Sequence, residues 1–236
     1  MQTIGLIGGM SWYSTAEYYK VINAGVQQRL GGHSSARIVM QSLDFAEIRD
    51  CQLRGDWGRA AALLAEAARR CELGGADVVL ICTNLMHRVA EPVQSAIGVP
   101  LLHIADAVAA RARREGVDTV GLLGARWVME EDFYIGRLRR NGLDVVVPGL
   151  ADRVEIDRVI FEELTRGVVD PGSRATYRGI VADLRQRGAQ AVILGCTEIE
   201  LLLRPEDTAI PLLDSMRTHA EAAVTLALQD AAAVGA

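Results

Sequence analysis

Four potentially reactive side chains follow one apolar run of the sequence. They lie in the segment LICTNLMH, residues 80–87, and are Cys82, Thr83, Asn84 and His87. A cysteine thiolate is a nucleophile and can exchange protons with a substrate, whereas a threonine alcohol is a far weaker acid than a thiol. A cysteine and a histidine could also ligate zinc, but no second ligand pair lies nearby, so we expect no metal site. Either Cys82 or Thr83 could hold the reactive position.

An internal repeat bears on this choice. Three apolar stretches of the first half return in the same order and at nearly constant spacing in the second half, which predicts a duplication. The pairs are Gly5–Gly9 with Gly121–Ala125, Gly75–Thr83 with Gly188–Cys196, and Val99–His103 with Ile210–Asp214. The repeat aligns Thr83 with Cys196, and Cys82 with Gly195. Because successive side chains of a strand point to opposite faces, Cys82 is predicted to point away from the reactive edge and to pack in the core.

Short apolar runs alternate with helical patterns along the chain, which predicts an α/β fold. We expect two pseudo-symmetric lobes, each a parallel sheet flanked by helices, with residues 1–104 plus 213–236 in lobe one and residues 105–212 in lobe two. Ligands of open α/β sheets bind outside the carboxyl ends of the strands, so the active site is predicted in the inter-lobe cleft. The strand ends that would line it are residues 8–11, 83–86, 124–126 and 196–198.

Two long helices are readable from the same patterns. An Ala- and Arg-rich helix is predicted from Trp57 to Leu73. A second is predicted from Ser14 to Leu30, where Ser14-Thr15-Ala16-Glu17 has the form of a capping box.

The composition excludes several classes of function. The 236 residues include 25 Lys and Arg against 30 Asp and Glu, a net charge of −5 with no basic block, which disfavours nucleic-acid binding. No apolar run approaches the roughly 20 residues of a membrane span, and the N-terminus lacks the basic region of a signal peptide. We therefore expect no membrane partner and a cytoplasmic protein whose four scattered cysteines form no disulfide framework.

No cofactor is expected either. Lys20 is the only lysine and lies in an amphipathic helical stretch, where a solvated surface residue is a better interpretation than a Schiff-base anchor. The glycines Gly5, Gly8 and Gly9 do not form the G-x-G-x-x-G fingerprint, and the chain has no Walker A motif, so nucleotide binding is disfavoured.

The chain resembles the cofactor-independent aspartate/glutamate racemases over nearly its whole length. The matching stretches are Gly5–Trp12, Cys82–Asn84, Asp132–Tyr134, Ile160–Leu164 and Leu194–Ile199, of which Gly-Cys-Thr-Glu in the last is the most specific. The resemblance implies inversion of a small-molecule amino acid by acid/base groups on the two faces of its α-carbon, without pyridoxal phosphate. It also implies a homodimer.

Roles carry over from the resemblance residue by residue. Cys196 takes the position of the second-lobe cysteine, and its thiolate would be favoured by a helix N-terminus or cationic neighbours. Thr83 takes the position of the first-lobe cysteine, as in the L-aspartate/glutamate-specific branch. Glu198 would orient or activate Cys196. Asn84 and Thr197 would bind the substrate carboxylate.

Further substrate-binding positions follow from the strand ends and the family pattern. Met10 and Ser11 end the first strand, and Gln52 matches a substrate-contacting glutamine. Leu85 and Ala125 stand where the family usually has hydroxyl side chains. Val128 is a third such replacement. The three changes indicate either a less polar substrate or drift at positions outside the site, and an arginine at position 49, 54 or 126 could replace the family's distal-carboxylate lysine.

Two other functions stay open. A one-cysteine decarboxylase or isomerase of the same superfamily would use Cys196 alone, opposite an apolar lobe. An amino-acid sensor with degraded catalytic groups would bind without reaction, although the intact Cys196 and Glu198 disfavour it.

Overall fold

Two four-stranded parallel sheets organise the chain, and the computed structural model describes residues 1–233. The first has the order β2-β1-β3-β4, with β1 (Ile4–Gly8), β2 (Ile38–Ser42), β3 (Val78–Ile81) and β4 (Leu101–Leu102). The second has the order β6-β5-β7-β8, with β5 (Thr119–Gly124), β6 (Asp144–Val146), β7 (Ala191–Gly195) and β8 (Leu212–Asp214). All neighbouring strands are parallel. The predicted α/β class, with a parallel sheet in each lobe, is confirmed.

Helices connect and flank the strands. Those that precede β5 are α1 (Trp12–Leu30), α2 (Phe45–Arg54), α3 (Trp57–Leu73), α4 (Ala90–Ser95) and α5 (Ile104–Arg114). Those that follow it are α6 (Arg126–Glu130), α7 (Asp132–Arg140), α8 (Leu150–Glu162), α9 (Pro171–Gln186), α10 (Ile199–Leu202) and α11 (Ser215–Ala233). Short 3₁₀ turns occupy Leu85–Val89, Leu164–Arg166 and Pro205–Asp207. Within residues 1–233, no helix has the length and apolar character needed to cross a membrane.

The chain divides into two units, each built on one sheet. The first comprises Met1–Ile104 and the segment that begins at His219, and the second comprises Ala105–Thr218. The predicted boundary after residue 212 is displaced, because it would cut β8, which pairs with β7 through Leu212–Asp214. The chain returns to the first unit inside α11.

The repeat in the sequence corresponds to equivalent strands of the two sheets. The strands β1, β3 and β4 take the same places in their sheet as β5, β7 and β8 take in theirs. Val79 pairs with Leu101, just as Val192 pairs with Leu212 at the repeated positions. The residues of β3 and β7 are buried throughout, as expected of parallel strands covered on both faces.

The start of α1 differs from the prediction. The helix begins at Trp12, and the backbone nitrogen of Gly9 donates to the hydroxyl oxygen of Thr15 at 2.9 Å. That hydroxyl donates in turn to the carbonyl oxygen of Ser11 at 3.0 Å. The predicted capping box at Ser14 is therefore wrong, because the first helical turn already includes Ser14. Gly9 has a φ of 88°, so the turn from β1 into α1 favours glycine.

The helix α3 has the predicted bounds. The carboxylate of Asp56 accepts a hydrogen bond from the backbone nitrogen of Arg59 at 3.0 Å and so caps the helix. One face of α3 contributes to the hydrophobic core of the first unit, with buried residues Ala60, Leu64, Ala68 and Cys71.

Gly195, at the end of β7, is confined by its neighbours. A Cβ atom there would lie 2.7 Å from the carbonyl oxygen of Leu123 and 3.2 Å from Cγ1 of Val128. We expect Gly195→Ala to lower the free energy of unfolding by about 1–3 kcal/mol, as overpacked cores do. Urea denaturation provides the measurement. The matched control is Gly179→Ala in α9, where a Cβ meets nothing within 4 Å and a gain of about 0.5–1 kcal/mol is expected. Equal effects at both positions would contradict the packing argument.

Candidate active site

A thiol and a carboxylate meet at the end of β7. Cys196 follows the strand directly, and Thr197 and Glu198 complete the turn into α10. The Sγ of Cys196 donates a hydrogen bond to Oε2 of Glu198 at 3.0 Å. The hydroxyl of Thr197 donates to the same oxygen at 2.8 Å. All three residues are half-buried, so their side chains are shielded from bulk water but remain partly exposed to solvent.

The surroundings of Cys196 favour its neutral form. Burial is the largest cause that raises the pKa of the thiol, and the negative charge of Glu198 and its hydrogen bond to the thiol come next. The charge of Asp157 raises the pKa further, while a backbone hydrogen bond at Glu198 lowers it in part. No cation appears among these causes, and α10 has only four residues. The expected cationic neighbours are therefore not found among the causes, and the backbone hydrogen bond at Glu198, the residue before α10, only partly offsets the causes that raise the pKa. At neutral pH Cys196 rests as a thiol with a proton acceptor already in contact.

The corresponding turn of the first unit is held through a histidine. Thr83 lies beyond the end of β3 and is half-buried, whereas Asn84 and Leu85 are buried. The Nδ1 of His87 lies 2.8 Å from the carbonyl oxygen of Thr83. The Nε2 of the same ring accepts a hydrogen bond from the backbone nitrogen of Ile104 at 3.2 Å.

Cys82 has the surroundings of a packing residue. Its side chain is fully buried. Burial raises the pKa of this thiol strongly, and the neighbouring Cys71 raises it further. A buried thiol of this kind is chemically inert, because the thiolate is the reactive species.

Other predicted residues of the first unit lie near the strand ends and on α2. Met10 is buried after β1, and Ser11 precedes α1. The buried Gln52 donates from Nε2 to the sulfur of Met86 at 3.4 Å. The Nη1 of Arg49 donates to Oε1 of Gln52 at 3.1 Å.

The three arginine candidates differ in their partners. Arg54 is exposed and forms an ion pair with Asp50 at 2.8 Å. Arg126 is exposed and forms an ion pair with Glu130 at 2.9 Å. Of the three, Arg49 is the one in contact with a predicted substrate-binding residue.

The apolar replacements in the second unit have different surroundings. Ala125, between β5 and α6, keeps 5% of its surface exposed. Val128 is fully buried and packs against the backbone at Gly124 and Gly195. A hydroxyl at position 128 would enter a packed contact, so valine there has a structural reason that needs no appeal to the substrate.

Two residues that support these turns were not found from the sequence. The hydroxyl of Thr15 holds the turn at Gly9, and Oδ1 of Asp157 accepts from the backbone nitrogen of Arg126 at 2.8 Å. Asp157 also contributes charge near Cys196. It lies mid-helix in α8 and carries no local motif, so no sequence signal distinguishes it from a surface acid.

A family model for Asp/Glu/Hydantoin racemases matches residues 7–223. The chain belongs to this racemase family. A Yersinia pestis structure assigned to the Asp/Glu racemases has 47% sequence identity and a TM-score of 0.93, covering 97% of this chain and 100% of that one. An aspartate racemase homologue from Pyrococcus horikoshii has 33% identity and a TM-score of 0.85, with the same coverage. RacX of Bacillus subtilis, a broad specificity amino-acid racemase, is 24% identical over 231 residues, which is 94% of this chain and 96% of RacX.

These comparisons confirm the predicted family and the predicted enzyme class, because the matching family model is one of racemases, which are isomerases, and RacX is an amino-acid racemase. The racemase fold expected from the resemblance is confirmed as well.

Proposed function

We propose that this racemase-family chain inverts an amino acid at its α-carbon without a cofactor, with Cys196 and Thr83 as acid/base groups on opposite faces. The main observation in support of this proposal is the 3.0 Å hydrogen bond from the thiol of Cys196 to Glu198. A racemase needs a group that can both release and take up a proton, and a thiol in contact with a carboxylate can do both. The equivalent positions of Thr83 and Cys196 after β3 and β7 support the pairing.

The proton path uses this contact. Glu198 takes the thiol proton, and the resulting thiolate of Cys196 removes the α-proton of the substrate. The electron pair left on the α-carbon spreads into the substrate carboxylate, and the hydroxyl of Thr83 returns a proton from the other face. The alkoxide left on Thr83 then takes up a proton from solvent and Glu198 releases one, which restores the starting state. In the reverse direction the thiol of Cys196 donates. Because an alcohol is a much weaker acid than a thiol, the two directions are unequal.

Solvent exchange tests this function. The wild-type protein is incubated in D₂O with each chiral amino acid, both enantiomers, and deuterium at the α-carbon is measured by mass spectrometry. We expect exchange, faster from the enantiomer whose α-hydrogen faces Cys196. Binding without exchange would identify a sensor. The absence of both binding and exchange over the whole panel would overturn the proposal.

The substrate class is aspartate/glutamate-like or a less polar amino acid, and replacement of Arg49 tests which of the two applies. If Arg49 binds a distal carboxylate, Arg49→Met should lower kcat/KM for aspartate and glutamate by about 10- to 100-fold, the value of a charged hydrogen bond. Values for neutral amino acids should change little. The matched control is Arg54→Met, which removes an exposed arginine five residues away. If Arg49→Met leaves aspartate unaffected, the substrate is the less polar class, which the apolar Leu85 and Ala125 favour.

One observation supports a second candidate function. Leu85 and Ala125 present no hydroxyl at strand ends where the family pattern has one, and a one-cysteine decarboxylase would need such an apolar surface opposite its thiol. Release of carbon dioxide from a disubstituted malonate would establish it. No release from a panel of such malonates would exclude it.

A further inference from the structure

Three of the four histidines of the chain form a buried cluster in the first unit. The members are His87, His103 and His219, each at most 3% exposed. The ring centres of His87 and His103 are 4.4 Å apart, and those of His87 and His219 are 5.7 Å apart. The chain passes between the units at residues 104–105 and again at residues 218–219. Two members of the cluster, His103 and His219, therefore lie in the first unit next to the points where the chain enters and leaves the second unit.

The hydrogen bonds of His87 define its protonation state. The backbone nitrogen of Ile104 can only donate, so Nε2 of His87 must carry a lone pair. The carbonyl oxygen of Thr83 can only accept, so Nδ1 must carry the proton. The two contacts together require the neutral ring with its proton on Nδ1.

A second histidine fixes the neighbouring backbone. Nε2 of His219 lies 2.8 Å from the carbonyl oxygen of Leu102, to which it donates. Nδ1 of His219 lies 2.8 Å from the hydroxyl of Tyr18, which donates to it when the ring is neutral. Leu102–Ile104, the crossover segment, is thus held at both ends, by His219 at its first residue and by His87 at its last.

We infer that His87 is a positioning residue for Thr83, an inference that rests on the proposed function. The ring joins the carbonyl of Thr83 to the fixed crossover segment, so it sets the orientation of the peptide that follows Thr83. The hydroxyl of Thr83 is the weaker of the two proposed proton donors and is therefore the more sensitive to its placement. A misplacement of about 1 Å can cost about 100-fold in rate.

Low pH should disrupt the hydrogen bond between His87 and the backbone of Ile104. A proton added at Nε2 of His87 would face the N–H of Ile104, so two donors would oppose each other. The titratable rings packed against His87 are His103 and His219, and Tyr18 lies beyond His219. Positive charge on one ring opposes charge on the other two, so proximity disfavours protonation of more than one ring, and the hydrogen bonds of His87 need that ring neutral.

The ratio of inversion to α-hydrogen exchange distinguishes positioning from a general structural role. Both rates are measured in D₂O, starting from the enantiomer that exchanges faster. Exchange from this enantiomer needs only Cys196, whereas inversion also needs Thr83, so Thr83→Ala defines the limit of exchange without inversion. We expect His87→Phe to lower the ratio about 10- to 100-fold toward that limit. His87→Gln should retain it, because its amide supplies one donor and one acceptor.

The pH dependence provides a test that needs no disruptive variant. As the pH is lowered from about 8 until His87 gains a second proton, the wild-type ratio should fall, and that of His87→Gln should stay level. The control is His33→Gln, at the exposed histidine outside the cluster, which should behave as wild type. Equal losses of exchange and inversion in His87→Phe, or the same pH profile in wild type and His87→Gln, would overturn the positioning role alone. A wild type without exchange would overturn the proposed function and this role with it.

Discussion

Replacing Cys196 by alanine is expected to reduce α-hydrogen exchange by about 1,000-fold or more, because the variant lacks the group that removes the proton. Glu198 would remain, but its carboxylate oxygen contacts the thiol in the wild type, and no thiolate could form at that position. Mass-spectrometric exchange with each enantiomer of the best substrate provides the measurement.

The matched control is Cys82→Ala, at a cysteine just beyond β3. Its side chain is fully buried and makes no proposed contact with substrate. We expect full exchange activity and a loss of about 1 kcal/mol in unfolding free energy from the small cavity. Activity retained in Cys196→Ala and lost in Cys82→Ala would reverse the assignment of the two cysteines.

Replacing Glu198 by glutamine should lower the exchange rate by about 100- to 10,000-fold at neutral pH, the usual contribution of acid/base catalysis. In the proposed wild-type mechanism the thiol proton moves to Glu198, and the total number of bound protons does not change. The thiolate fraction is then independent of pH over the neutral range. In Glu198→Gln the proton must leave to solvent, so the rate should rise about tenfold per pH unit below the thiol pKa.

The direction of the pKa change sharpens this prediction. The charge of Glu198 raises the pKa of Cys196, so its removal lowers that pKa, but burial continues to keep it high. Alkaline pH should therefore restore part of the activity of Glu198→Gln. The control is Asp157→Asn, which removes a charge with a smaller effect on the pKa of Cys196 and keeps an oxygen that can accept from Arg126. It should keep the flat profile of the wild type. A flat profile in Glu198→Gln would contradict the role of Glu198 as the proton acceptor.

The fold was largely readable from the sequence, because its strands are local apolar runs and its repeat fixes their correspondence. The alignment of Val79 with Val192 reproduces the pairing found in the two sheets. The bounds of α3 were also readable, since Asp56 provides a local cap. The displaced boundary at residue 212 has a physical cause: β8 has three residues, and a strand so short carries little pattern of its own.

The site was readable only where its contacts are local. The Cys196–Glu198 contact spans two residues, so the sequence could suggest it. The raised pKa of the thiol depends on burial, which no motif encodes. The link from Thr83 through His87 reaches Ile104, 17 positions further along the chain, so no local pattern encodes it.

The protonated state of Cys196 determines how readily its sulfur is oxidised. Peroxides react with thiolates, and exposed cysteines of low pKa are the ones converted to sulfenic acid. Burial and the adjacent carboxylate raise the pKa of Cys196 and so keep it protonated at neutral pH. The contact with Glu198 therefore helps to hold the sulfur in its less reactive thiol form, and alkylating reagents that need a thiolate should be slow to inactivate the protein.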